Sequence, residues 1–220
     1  MQNIIIPMAG KGNRFVKAGY KTYKPFLQLS KKENIIQNIC DSFSKNSNKY
    51  FIVDKNLNKN YLKILSKIPN SKIIKIKSHK LGPGYTLLSA EKELKDLKKV
   101  FVCYSDIVWK WNKKKLKLKN NTVFCYKNYH PYTKDNNNYA FCKVNKKKLI
   151  KLKEKSSFTK KWINEPLSIG LFYYIDAKEL FNSLNCLKKL NIKTNNEYFP
   201  SEGFNFLENT KIEYVNSFAH

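Results

Sequence analysis

From Asn3 to Asp106 the sequence alternates brief β-type runs with stretches of helical periodicity, and that alternation restricts the fold more than any other feature. The runs "NIIIP", "KYFIVD", "KIIKIK" and "KVFVCYSD" are short and rich in β-branched or aromatic residues. Between them, "ENIIQNICDSFS", "NKNYLKILSKI" and "TLLSAEKELKDL" repeat their apolar residues at three- and four-residue steps. Repeated strand–helix units predict a parallel sheet covered by helices on both faces. In such sheets ligands bind beyond the carboxyl ends of the strands, so the residues just after each strand are where chemistry is expected.

The second half changes character. "NTVFCYKNYH", "NYAFCKV" and "KLIKLKEK" read as successive strands joined by short polar turns, followed by the strand "LSIGLFYYI", a helix over "AKELFNSLNCLKKL" and a last strand "KIEYV". A final helix is expected near "EGFNFLEN". Antiparallel strands therefore extend a mixed sheet, and 220 residues suit one domain with a single sizeable core.

Glycine is scarce, with seven in the chain, and its placement carries information. Gly10 and Gly12 follow the first strand, Gly82 and Gly84 follow the third, and Gly19 lies in the first loop, while Gly170 and Gly203 lie elsewhere. Glycines that persist in pairs after strands are expected where backbone geometry demands them. A Gly-x-Gly turn also lets backbone N–H groups approach an anion, as in phosphate-cradling loops. Plain tight turns remain the alternative for either pair. Neither the Walker pattern nor the Gly-x-Gly-x-x-Gly dinucleotide pattern is present. Beside the first pair stands Arg14, the single arginine of a chain with 43 basic residues. A position that keeps arginine where lysine prevails elsewhere points to a need for a planar, forked guanidinium.

The net charge of +27 would ordinarily suggest nucleic acid or an anionic membrane as partner. Here lysine, asparagine and isoleucine are enriched along the whole chain, and runs such as "NKKKLKLKNN" read as solvated faces and turns. With one arginine, the chain also has almost no bidentate base-reading side chains, so no specific nucleic-acid partner is expected. Cys40, Cys103, Cys125, Cys142 and Cys186 are widely spaced, without a zinc or redox motif, and read as reduced core residues. No apolar run is long enough to span a bilayer, and the first strand begins almost at once, so a cytoplasmic location without membrane association is expected.

The stretch "PMAGKGNRFVKAGYKTYKPFLQL" resembles the signature of the sugar-phosphate nucleotidyltransferases, the NDP-sugar pyrophosphorylases, in which the first strand runs into an Ala-Gly-x-Gly-Ser/Thr-Arg-Leu/Phe loop and then Pro-Lys-Pro-Leu. The matching residues are Ala9, Gly10, Gly12, Asn13, Arg14 and Phe15, then Lys24, Pro25 and Phe26. The resemblance continues through "GPGYTLLSA", "VFVCYSDIVW", "LKEKSSF", "LSIGLFYY" and "NNEYFPSEGFNFLEN". Tyr23 and Ser156 stand where the family carries prolines, and the chain reaches "NSFAH" where the family continues into a turn supplying a second metal ligand.

The resemblance implies a Rossmann-like three-layer α/β/α fold with a mixed sheet, of the nucleotide-diphospho-sugar transferase type. It implies a nucleotide-binding half over residues 1–110 and an acceptor-binding half over residues 111–220. The partners implied are a nucleoside triphosphate and a phosphorylated small molecule such as a sugar 1-phosphate, with pyrophosphate released and Mg²⁺ as cofactor. The activity would serve capsule or surface-polysaccharide synthesis. Carried over position by position, Arg14 and Lys24 are the catalytic cations, and Met8, Ala9, Gly10, Lys11, Gly12, Asn13, Gly82 and Ser105 hold the nucleotide. Asp106 binds the metal, while Glu154, Lys155 and Gly170 hold the acceptor. Two alternatives stand beside this: a cytidylyltransferase acting on a phosphocholine-like acceptor, and a non-catalytic, basic polyanion-binding protein that keeps the fold. His79 and His130 are expected to be bystanders, although "NYHPY" could border the acceptor pocket. Trp109, Trp111 and Trp162 are expected mainly in the core.

Overall fold

The computed structural model describes residues 1–10, 19–20, 22–31, 33–113, 116–130 and 139–219. Nine strands form one mixed sheet. Its parallel part comprises β1 (Asn3–Met8), β4 (Asn48–Asp54), β5 (Ser71–Ile76) and β6 (Lys98–Cys103). Its other strands are β8 (Thr122–Tyr126), β9 (Ala140–Asn145), β10 (Lys148–Lys153), β11 (Leu167–Asp176) and β12 (Lys211–Tyr214). The order across the sheet is β5-β4-β1-β6-β11-β8-β12-β10-β9. β11 runs antiparallel to β6 on one edge and to β8 on the other, and meets β9 at Leu167 and Ser168, so it joins the two kinds of sheet. The short strands β2 (Gln28–Ser30) and β3 (Glu33–Asn34) make a separate hairpin, and β7 (Val108–Lys110) pairs with β13 (Ser217–Ala219).

Two apolar clusters lie on the two faces of this sheet. On one face α1 (Ile35–Asp41) and α2 (Lys59–Ser66) cover Ile4, Ile6, Phe51 and Phe101. On the other, α3 (Gly82–Leu88), α4 (Glu91–Leu94) and α5 (Ala177–Lys189) cover Ile5, Ile52, Val102 and Phe172. Adjacent residues of one strand thus enter opposite clusters, which is why the parallel strands read as unbroken apolar runs. The fold is the expected three-layer α/β/α arrangement.

Helix starts follow local chemistry. Asn34 caps α1 through a reciprocal pair in which Gln37 N–H donates to Asn34 Oδ1 at 3.0 Å and Asn34 N–H donates to Gln37 Oε1 at 3.1 Å. Asn58 and Asp176 accept the first-turn amides of Asn60 and Lys178. Two helices differ from expectation. The periodic stretch "TLLSAEKELKDL" is broken at Ser89–Ala90 into α3 and α4, a bend that lets both Leu87 and Leu94 enter the same cluster. Near "EGFNFLEN" there is only the single turn α6 (Pro200–Gly203) followed by a 3-10 turn, Phe204–Phe206.

α3 opens on the second glycine pair, and the backbone of Glu197–Tyr198 crosses it closely. Gly84 N–H donates to Tyr198 O at 2.8 Å, and Tyr198 N–H donates to Leu81 O at 2.9 Å. A Cβ on Gly84 would lie 2.8 Å from that same Tyr198 carbonyl oxygen, whereas a Cβ on Gly10 would meet nothing within 4 Å. Gly84→Ala is therefore expected to lose about 1–3 kcal/mol of stability through the forced backbone shift. Gly10→Ala should stay within about 0.5 kcal/mol of the parent. Urea denaturation of the two variants checks this, and equal stabilities would show that the crossing does not require glycine.

Candidate functional site

A cavity of about 1070 Å³ opens beyond the carboxyl ends of β1 and β6, where an α/β sheet is expected to bind its ligand. Both halves of the chain line it. The sequence-predicted residues Met8, Gly10, Lys24, Gly82, Ser105 and Asp106 come from the first half, and Glu154, Lys155 and Gly170 from the second. Ala9 is buried in the core instead. Lys11, Gly12, Asn13 and Arg14 lie outside the described residues.

Lys24 begins a 3-10 turn, Lys24–Phe26, whose Pro25 and Phe26 are buried. Phe26 stacks on Tyr61 of α2 with ring centroids 4.4 Å apart, so the turn is anchored from below and the lysine is directed outward. Its Nζ lies 2.8 Å from Asp106 Oδ2, with side-chain exposures of 13% and 26%. A cation and a carboxylate from segments 82 residues apart in sequence are thus brought together on the cavity wall. Asp106 is placed by its neighbour Tyr104, whose N–H donates to Gly170 O at 3.0 Å. Gly170 has φ +83°, and a Cβ there would lie 2.5 Å from the Tyr104 ring, so this glycine makes room for Tyr104 as well as bordering the cavity.

On the wall from the second half of the chain, burial pushes the Glu154 carboxyl up from an ordinary 4.5 to about 7. The Ser201 hydroxyl donates to Glu154 Oε2 and opposes that shift, Glu202 and Glu197 add to it, and Lys155 offsets part of it. Lys155 adopts φ +51° and its ammonium lies 4.7 Å from the centroid of the Phe199 ring. A lysine in the left-handed region at a cavity wall is the kind of strain that functional sites retain.

Several cavity residues carried no distinct signal in the sequence. His79, expected to be a bystander, lines the cavity. Its Nδ1 accepts from Leu81 N–H at 3.1 Å, which leaves the proton on Nε2, 3.1 Å from Thr86 Oγ1. Burial lowers its pKa, so the ring is held neutral. Thr194, Asn195, Glu197 and Phe199 from the segment after α5 and Ser201 from α6 also reach the cavity; the resembling stretch "NNEYFPSEGFNFLEN" covers all but Thr194, without marking any of them individually as a site residue. His130 is buried against Phe218, with ring centroids 4.1 Å apart, and does not line the cavity. Trp109, Trp111 and Trp162 pack with the α1/α2-side cluster, as expected of core aromatics.

No protein-family model matches the sequence, and no curated protein matches it. Solved structures do. The nucleoside-diphosphate-sugar pyrophosphorylase from Vibrio cholerae RC9 superimposes with a TM-score of 0.73 at 19% identity, over 96% of this chain and 91% of that one. The inositol-1-phosphate CTP transferase from T. maritima gives 0.71 at 14% identity, over 97% and 85%. A UDP-glucose pyrophosphorylase complexed with UDP-glucose gives 0.68 at 14% identity, over 94% and 86%. This chain has the nucleotide-sugar pyrophosphorylase fold.

Within this pyrophosphorylase fold, Asp106 lies on the cavity wall just beyond β6, paired with Lys24. Among the described residues there is no group of three or more His, Cys, Asp or Glu side chains that could hold a metal ion.

The Glu154 shift has a consequence for stability. Its folded-state pKa lies above its unfolded one, so its contribution is fully present below about pH 4.5 and is lost as pH rises through about 7. Over that window the parent protein should lose up to about 3 kcal/mol relative to Glu154→Gln. Denaturation series at matched pH values measure the difference, and parallel curves for the two proteins would refute the assignment.

Proposed function

We propose that the protein is a nucleotidyltransferase that joins a nucleoside triphosphate to a phosphorylated sugar or polyol with release of pyrophosphate. The observation that carries this is the Lys24–Asp106 pair, which shares one cavity with Glu154 and Lys155 at the carboxyl ends of the central strands. The pyrophosphorylase fold supports the same reading. A nucleotide-activated sugar is the form in which sugars enter surface-polysaccharide assembly, and we assign that use to the product.

In the reaction, an acceptor phosphate oxygen attacks the α-phosphorus and pyrophosphate leaves from the opposite side. Such transfers are catalysed chiefly by positioning and by neutralising charge on the transferring and leaving oxygens. Lys24 would exchange Asp106 for the α-phosphate, which places a cation where negative charge moves during transfer. Arg14 would clamp the β/γ end with its fork, and backbone N–H groups of the glycine loop would hold the triphosphate between them. Lys155 would meet the acceptor phosphate, and Glu154 with Ser201 would bind hydroxyl groups on the acceptor. Asp106 would hold Mg²⁺, which neutralises phosphate charge when bound.

Pyrophosphate release, scored for four nucleoside triphosphates against a panel of sugar 1-phosphates, polyol phosphates and phosphocholine, tests this reading. One preferred triphosphate with one acceptor class is expected, and a phosphocholine preference would select the cytidylyltransferase alternative if CTP were the donor. Binding that weakens steeply with salt and ignores base identity, without pyrophosphate release, would select the polyanion binder. A hydrogen bond to a charged group contributes about 1.5–3 kcal/mol, so Lys24→Ala and Arg14→Lys should each lower kcat/KM about ten- to a hundredfold with the fold intact. Parent-like turnover of Arg14→Lys would overturn the forked-clamp role.

A further inference from the structure

The residue before Lys24 makes contacts that the proposed reaction does not use. The Tyr23 hydroxyl donates toward two carbonyl oxygens, that of Met8 and that of Gly10, the latter at 2.8 Å. A phenol has one proton, so the two carbonyls share it. Both belong to the point where the chain leaves β1 for the glycine loop. The tyrosine is itself held from the side: its backbone N–H donates to Tyr61 Oη at 3.1 Å. Its ring lies 6.0 Å from the Tyr61 ring and 6.1 Å from Phe26. The next residue along the chain is Lys24, which reaches Asp106.

These contacts have a directional effect. In a trans peptide the C=O and N–H point to opposite sides, so turning the Met8 carbonyl toward Tyr23 turns the Ala9 N–H away from it. The hydroxyl therefore fixes peptide orientation from Met8 to Gly10, where the chain leaves β1. Burial, reinforced by Asp54 and Asp106, keeps the phenol in its protonated, donating form.

We propose that Tyr23 is a positioning residue that ties the backbone from Met8 to Gly10, at the end of β1, to Lys24, so that a triphosphate bound there meets the two in one fixed relation. It rests on the nucleotidyltransferase reading for its purpose, but not for its geometry. The change from the proline that the resembled family carries here thus supplies a contact that proline lacks.

Tyr23→Phe removes the hydroxyl and keeps the ring. With the full chain, the Kd and KM for the preferred triphosphate should rise about three- to tenfold while the acceptor KM stays within about twofold. Amide hydrogen exchange at Ala9 and Gly10 should quicken. Unchanged triphosphate affinity together with unchanged exchange would overturn the proposal, as would an equal rise in both KM values, which a general loss of structure would produce. Should Tyr23→Phe not fold, Tyr61→Phe carries the test: a two- to threefold weaker triphosphate Kd supports the clamp and an unchanged Kd overturns it. If the parent protein neither binds nor turns over any triphosphate, the functional reading fails, and the exchange rates of Tyr23→Phe against parent still decide whether the clamp exists.

Discussion

The packing of the Tyr104 ring over the bare backbone of Gly170 holds the two halves of this molecule in working relation. β11 pairs with β6 on one edge and with β8 on the other, meets β9 at Leu167 and Ser168, and shifts its register against β8 between Ser168 and Phe172. Gly170 lies inside that shift, with a backbone conformation that L side chains rarely adopt. Because it has no Cβ, Tyr104 can pass across it and donate its N–H to the Gly170 carbonyl. The chain that continues from Tyr104 carries Ser105 and Asp106 onto the cavity wall. One missing methyl group thus decides both how the antiparallel strands join the parallel ones and where the carboxylate sits.

The two glycine pairs serve different ends. Gly82 and Gly84 are required by the chain itself: Glu197 and Tyr198 lie where their Cβ atoms would be, and the Gly84 amide is already committed to the Tyr198 carbonyl. That crossing also sets the position of the segment that brings Glu197, Phe199 and Ser201 to the cavity, so the two walls are tied together through backbone. Among the described residues, none comes within 4 Å of where a Gly10 Cβ would lie.

Charge is organised in the cavity more tightly than the overall excess of lysine suggests. Lys24 and Asp106 neutralise one another on one wall. On the opposite wall burial raises the Glu154 carboxyl, beside a lysine lodged on an aromatic face.

Much of the fold was legible in the residues because the parallel strands and the capped helices are set by local periodicity and by Asn34, Asn58 and Asp176. The site was legible where its residues follow strand ends, as Gly10, Asp106 and Gly82 do, and where a short motif such as "KPF" carries its own anchor. His79, Tyr23 and the particular cavity residues of the stretch from Thr194 to Ser201 were not, since an imidazole, a phenol or a polar loop has no periodicity and gains meaning from what it faces. The broken helix at Ser89–Ala90 was hidden for the same reason. The sequence by itself determined most of the strands and helices and the strand ends after which cavity residues lie, because those follow from interactions a few residues long. Only the tertiary structure decided that Lys24 meets Asp106, that Glu154 is buried beside Ser201, and that Gly170 belongs to Tyr104, because each of these joins segments that the chain's own spacing leaves independent.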